Sequence, residues 1–178
     1  HLEVAKWLLS INTNIEISNY KSAFVVACHN GHLEVVKWLF SVKPDIDISD
    51  RYEYSFQNAC KYGHLEVVKL LLSVKPDIDI SACNEGAFQN VCRWGHLEVA
   101  KWLLSVKPDI DISAYNEGAF KNACSWGHLE VAKWLLSVKP DIDISGVFEN
   151  ALIYLEVAKW LLSLKPDIDI SVSFDKAC

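Results

Sequence analysis

The stretch GHLEVVKWLFSVKPDIDIS, Gly31 to Ser49, recurs as GHLEVVKLLLSVKPDIDIS at Gly63 and as GHLEVAKWLLSVKPDIDIS at Gly95 and Gly127. Successive copies start 32 residues apart. A partial copy begins at His1, and another runs from Leu155 to Ser171. Within the stretch Leu33, Val35, Val36, Trp38, Leu39 and Phe40 are apolar, while Glu34, Lys37 and Ser41 form one polar stripe at helical spacing. A helix this apolar has to be covered on most sides, with one strip left in water. Glu34 and Lys37 on that strip are placed for an ion pair worth about 0.2–0.5 kcal/mol. In the next copy Pro76 ends the helix. The alternation of DIDIS reads as a short extended piece, with Ile turned inward and Asp outward.

Working outward, a second element precedes each copy. It reads SAFVVAC at Ser22, YSFQNAC at Tyr54, GAFQNVC at Gly86, GAFKNAC at Gly118, GVFENAL at Gly146 and VSFDKAC at Val172. An aromatic followed by small residues at i+3 and i+4, such as Phe56, Ala59 and Cys60, makes one narrow apolar face of a short helix. Gly63 follows this helix where a left-handed terminal residue is usual. Asn84-Glu85 and Asn116-Glu117 supply turn residues ahead of the next one. Each unit is thus helix, turn, helix, loop. Such a unit buries its faces only by stacking on its neighbours.

Composition narrows the function classes. The 178 residues are 51% hydrophobic and 22% charged, a folded composition, with a formal net charge of −6. That charge argues against nucleic acid and against anionic membrane surfaces as partners. No apolar run approaches the roughly 18–20 residues of a membrane span. Cys28, Cys60, Cys92 and Cys124 keep the 32-residue spacing. Stacked helices would hold these thiols about 8–10 Å apart, beyond the roughly 7 Å that a disulfide allows between Cα atoms. They are expected to be buried core thiols in a reducing, intracellular compartment. The chain contains no Met, and His1 and Cys178 both fall in mid-motif, so it is expected to be a segment of a longer array.

With its unit length, its helix pair and the repeated Gly-His-Leu-Glu-Val-Val-Lys of Gly31–Lys37 and Gly63–Lys69, the chain resembles the ankyrin repeat family over nearly its whole length. The resemblance implies an all-α solenoid of stacked antiparallel helix pairs with short hairpin-like loops. It would be a single array over 1–178, with second-helix elements starting near 1, 32, 64, 96, 128 and 155. There are departures. The family's Thr-Pro-Leu-His-x-Ala-Ala is replaced by Gly-Ala-Phe-Lys-Asn-Ala-Cys at Gly118–Cys124, and its Gly-Ala-Asp by Lys-Pro-Asp at Lys107–Asp109. A residue before Pro favours extended backbone, so no glycine cap is expected after the second helix. This wording is similar to the expanded ankyrin families of large DNA viruses and some protists, which would place the protein in the cytoplasm, the host's if viral.

Candidate sites follow. His32, His64, His96 and His128 are expected to tie each helix start to the adjacent loop rather than to bind metal. Zinc needs its ligands about 2.0–2.1 Å from one ion, and stacked copies do not bring them together. The Asp pairs, such as Asp77/Asp79 and Asp109/Asp111, read as a solvated acidic ladder rather than as a catalytic pair or a calcium site. Trp7, Trp38, Trp102, Trp134 and Trp160 share one position of the second helix with Leu70, so that position wants bulk and core packing. No nucleophile–base pair or phosphate loop is present, so neither catalysis nor a cofactor is expected.

The ankyrin resemblance implies binding on a concave face of loop tips and first helices. Its positions here are Arg51, Glu85, Tyr115 and Glu117 at the tips, and Lys61, Tyr62, Arg93, Trp94 and Trp126 ahead of the Gly-His turns. These are also places where near-identical copies differ. Aromatics and Arg are favoured interface anchors, although the same rings could instead stack on one another between repeats. The expected function is a monomeric scaffold binding a protein or peptide, acidic or apolar; the alternative is a structural spacer.

The region 146–178 holds irregular, shortened units. The fifth copy has lost residues from its loop and its Gly-His pair, and no Gly or Pro remains between Val147 and Leu164. One continuous or sharply bent helix is expected there. The binding surface should therefore lie on the earlier units.

Overall fold

The computed structural model describes residues 2–11, 17–42, 49–144 and 146–167, with the side chains at 8, 9, 17–19, 49–52 and 82–85 excepted. Among these residues every regular element is a helix, giving an all-α repeat: α1 (Leu2–Ile11), α2 (Ile17–His29), α3 (Leu33–Val42), α4 (Ser49–Lys61), α5 (Leu65–Val74), α6 (Ala82–Arg93), α7 (Leu97–Val106), α8 (Ala114–Ser125), α9 (Leu129–Val138), α10 (Phe148–Ala151) and α11 (Leu155–Leu164). The helices fall into two units, residues 1–79 and 80–178. In the first unit α2 pairs with α3 and α4 with α5, while α2 lies beside α4 and α3 beside α5. In the second the pairs are α6–α7, α8–α9 and α10–α11, with α8 between α6 and α10.

The punctuation works as its residues dictate. Gly31, Gly63, Gly95 and Gly127 take φ of 71°, 75°, 78° and 78°, the left-handed region that glycine enters without penalty. At the first of these turns the His32 amide donates back to the Ala27 carbonyl over 2.9 Å, closing the end of α2 as a Schellman motif does. The second helices end without glycine, as expected. The Lys75 amide donates to the Leu71 carbonyl with φ at −127°, and Pro76 prevents another turn. The expected extended DIDIS piece is instead broken into turns, because the Ile78 amide bends back toward the Lys75 carbonyl at 3.3 Å. Its facing is as expected: Ile78, Ile80, Ile110, Ile112 and Ile142 are buried, and the aspartates between them are exposed.

The core comes from two faces. First helices bury Phe56, Ala59 and Cys60, Phe88, Val91 and Cys92, and Phe120, Ala123 and Cys124. Second helices bury Val67, Val68 and Leu71 and their counterparts through Val157, Ala158 and Leu161. The polar stripe is in water. Lys37–Glu34, Lys69–Glu66, Lys101–Glu98, Lys133–Glu130 and Lys159–Glu156 all pair at 2.7–3.0 Å. Trp102, Trp134 and Trp160 are half-buried. The Trp134 ring faces Phe88 at 6.3 Å and the Trp160 ring faces Phe120 at 6.2 Å, so each fills the gap left by the first helix of the preceding pair. Trp7 in α1 departs from the core expectation and is 60% exposed.

The fifth unit corrects another expectation. Residues 147–164 do not form one continuous or sharply bent helix. They form the single turn α10 and the full-length α11, which pack on each other. Helical geometry ends at Leu152, and Tyr154 is extended, with φ −115° and ψ 90°. The reason lies in packing. Tyr154 stands where His128 stands one unit earlier, and its ring closes over Gly127; a Cβ on that glycine would lie 2.7 Å from the ring's Cε1 and Cγ. That contact holds the chain out of the helix where no Gly or Pro breaks it.

Candidate functional site

Of the histidines expected to tie helix starts to loops, His64 and His128 do so. The His64 ring covers Gly31, where a Cβ would lie 2.7 Å from Cε1 and Cγ, and His128 covers Gly95 in the same way. His64 Nε2 also donates to the His29 carbonyl over 2.9 Å. That carbonyl is at the end of α2, where backbone acceptors run out of intrahelical partners. Among the described residues no group of three His, Cys, Asp or Glu is gathered to hold a metal ion. The thiols are free and buried. Burial pushes Cys28 up to about 12, with a smaller opposing effect from the Ser55 hydroxyl beside it, and pushes Cys124 up to about 12. Cys60 and Cys92, more deeply buried, are also held well above the ordinary thiol range by desolvation. A protonated buried thiol is neither a nucleophile nor a metal ligand at neutral pH.

The residues ahead of the turns form two clusters. In the first unit the His29 and Tyr62 rings lie 4.4 Å apart at 56°, with the Lys61 ammonium 5.2 Å from the Tyr62 ring centre. In the second unit the Trp94 and Trp126 rings lie 5.7 Å apart at 32°, and the Arg93 guanidinium rests 4.6 Å from the centre of the Trp126 ring. Neighbouring first helices place these side chains side by side: Trp94 and Trp126 share one position 32 residues apart, while His29 and Arg93 each meet the ring one position further along in the next copy. Stacking does not remove them from water: Tyr62 stays 37% exposed and the two tryptophans 39% each. Such a surface offers flat aromatic area, and a cation over a ring adds about 0.5–1 kcal/mol at exposed sites.

The loop-tip residues are elsewhere. Tyr115, Asn116 and Glu117 take left-handed backbone, with φ of 58°, 55° and 63°. They lie at the opposite end of α8 from Trp126, more than roughly 10 Å away along the helix axis. Tyr115 is exposed, and the Glu117 amide donates to the Ser113 carbonyl over 3.0 Å. The Arg51 and Glu85 side chains lie outside the described residues. The expected site is therefore not one patch: turn-side and loop-tip residues occupy different ends of the first helices.

Three residues escaped the sequence reading. Tyr54 is 55% exposed one helical turn before Asn58, whose amide donates to the Tyr54 carbonyl over 2.9 Å, and Val26 is 56% exposed at the position of Asn58 in the preceding first helix. Lys121 occupies the position of Gln57 and Gln89. Copy-to-copy variation carried the signal for all three, since Tyr54 stands where later copies have Gly86 and Gly118.

No helix of the described residues is long and apolar enough to cross a membrane. A search of the curated proteins finds no match. The family model for ankyrin repeats (3 copies) matches residues 1–82 and 56–146, well over half of the chain. With that match, the glycine-ended helix pairs and the stacked first helices, the chain belongs to the ankyrin repeat family.

Proposed function

We propose that this protein is a monomeric binding scaffold whose partner protein or peptide docks on the concave face built from the first helices and their turns. Ankyrin repeats are in general protein–protein interaction modules, and the family is typically non-enzymatic. The observation that carries the reading is the second-unit cluster, where Trp94 and Trp126 stay 39% exposed although stacked, with Arg93 laid over Trp126. Trp, Tyr and Arg are the side chains that most often anchor an interface. In the first unit Lys61 and Tyr62 offer a comparable cluster, and the loop-tip residues Arg51, Glu85, Tyr115 and Glu117 are proposed as contacts separate from these turn-side clusters. The divergent wording of the repeat favours the expanded ankyrin type of large DNA viruses and some protists, and with it an intracellular setting. Catalysis has no part in this reading.

A displayed peptide library selected against the immobilised chain tests it. Binders should enrich, and alanine at Tyr62, Arg93, Trp94 and Trp126 together should abolish their capture while the far-ultraviolet circular dichroism stays unchanged. Capture that survives all four replacements refutes the face. A second reading, a structural spacer, is favoured by the ring stacking itself; it expects no enrichment at all.

A further inference from the structure

The cations of the second unit divide in a way that points to the partner's chemistry. On the second helices Lys101, Lys133 and Lys159 are neutralised by a glutamate three residues earlier. In the loops Lys107 donates to the Ser81 hydroxyl and Lys139 lies 3.8 Å from Asp141. Neither Arg93 on α6 nor Lys121 on α8 has a carboxylate at ion-pair distance among the described residues. Both are on first helices, and Arg93 lies over the exposed Trp126 ring. Lys121 stands one helical turn, roughly 6 Å, before Ser125, which has the same position in α8 as Arg93 has in α6. The protein as a whole carries −6, with its exposed aspartates on the loops. An acidic chain that keeps an uncompensated guanidinium over an exposed aromatic pair, with Lys121 about one turn earlier on the next first helix, presents there a local field opposite to its net charge.

We infer that the surface around Trp94 and Trp126 takes an acidic peptide segment in which carboxylates flank an apolar or aromatic side chain. The inference rests on the binding reading above and deepens it. The apolar side chain lies against the two indoles, and the carboxylates meet Arg93 and Lys121. Arg93 already rests over the Trp126 ring, so less rotamer freedom is lost when it engages a carboxylate. Because both cations are partly exposed, they contribute selectivity and salt dependence more than raw affinity.

The test follows the Trp94 and Trp126 indole N–H resonances of the full chain during titration with three peptides. The peptides carry Glu-Phe-Glu, Gln-Phe-Gln or Lys-Phe-Lys cores between glycine-serine flanks. The Glu peptide is expected to shift both resonances with a Kd several-fold below that of the Gln peptide, and the Lys peptide to leave them unmoved. R93Q and K121Q should each raise the Glu-peptide Kd by roughly 3- to 5-fold, and added salt should raise it further. Equal binding of the Glu and Gln peptides, or no effect of the R93Q/K121Q pair, overturns the acidic class. If W94A, followed at Trp126, still abolishes that binding, the binding face itself stands. A thymidine oligonucleotide of matching charge that binds more tightly than the Glu peptide overturns the inference in favour of a nucleic-acid partner. Library capture that survives the four alanine replacements would remove the face altogether, a result these titrations do not mimic.

Discussion

Replacing Gly95 by alanine separates two costs that the turn imposes. The first is conformational: φ is +78°, and an L side chain in that region loses about 1–2 kcal/mol. The second is steric. The new methyl would lie 2.7 Å from His128 Cε1 and 2.8 Å from its Cγ, so the ring has to move. Overpacking of this kind costs about 1–3 kcal/mol. Together the two give roughly 2–5 kcal/mol. In an H128A background the ring is gone, and only the conformational 1–2 kcal/mol should remain, so the double-mutant cycle should return a coupling of about 1–3 kcal/mol. G146A is the control. That glycine also has positive φ, at 106°, but nothing within 4 Å of its would-be Cβ, so it should show the conformational cost alone. Urea unfolding followed by circular dichroism measures all four variants. Equal destabilisation by G95A in both backgrounds would refute the contact between turn and histidine, and with it the account of why the regular units carry Gly-His.

Truncating Phe120, fully buried under Trp160, should cost about 3–5 kcal/mol, whereas W7A, at a 60%-exposed ring, should cost under about 1 kcal/mol by the same urea assay. In a chain with Cys83 and Cys178 changed to Ser, the remaining thiols should resist a disulfide-exchange reagent at pH 8 until urea unfolds the repeats; labelling of the folded chain at the rate of a free thiol would contradict their burial. The folded thiols titrate higher than the unfolded ones, so they favour the folded state fully below the ordinary value of 9.0, and that stability should drain away as the pH rises from 9.0 toward about 12. Y154H should keep stability within about 1 kcal/mol, because histidine fills the same place over a glycine one unit earlier; a loss as large as that of Y154A would show that the slot does not accept histidine.

Much of the fold was legible because each unit repeats its own instructions. The Phe-x-x-Ala-Cys face, the Glu-Lys stripe, the left-handed glycine and the inward isoleucines are local patterns, set within one or two turns of chain, and each is where the sequence put it. The misses share a cause. The DIDIS segment was read as extended because alternation alone does not reveal the backward bend of Ile78 toward Lys75. The fifth unit was read as one helix because the residue that breaks it, Tyr154, acts through contact with Gly127, far away in the chain. The site was half legible. Variation among copies pointed to Tyr62, Arg93, Trp94 and Trp126, but not to which of them meet, nor that Tyr115 and Glu117 lie at the other end of their helix.

The sequence by itself determined the unit, its two helices, their buried faces and the family, since those follow from periodicity and from residues whose backbone preferences act locally. Only the tertiary structure decided what lies beside what from one copy to the next: Arg93 over Trp126, Trp94 against Trp126, His29 against Tyr62, and Tyr154 in a histidine's place. Side chains that distant in sequence meet through stacking alone. Which of them then stay in water depends on how closely neighbouring helices approach, a quantity no single unit encodes.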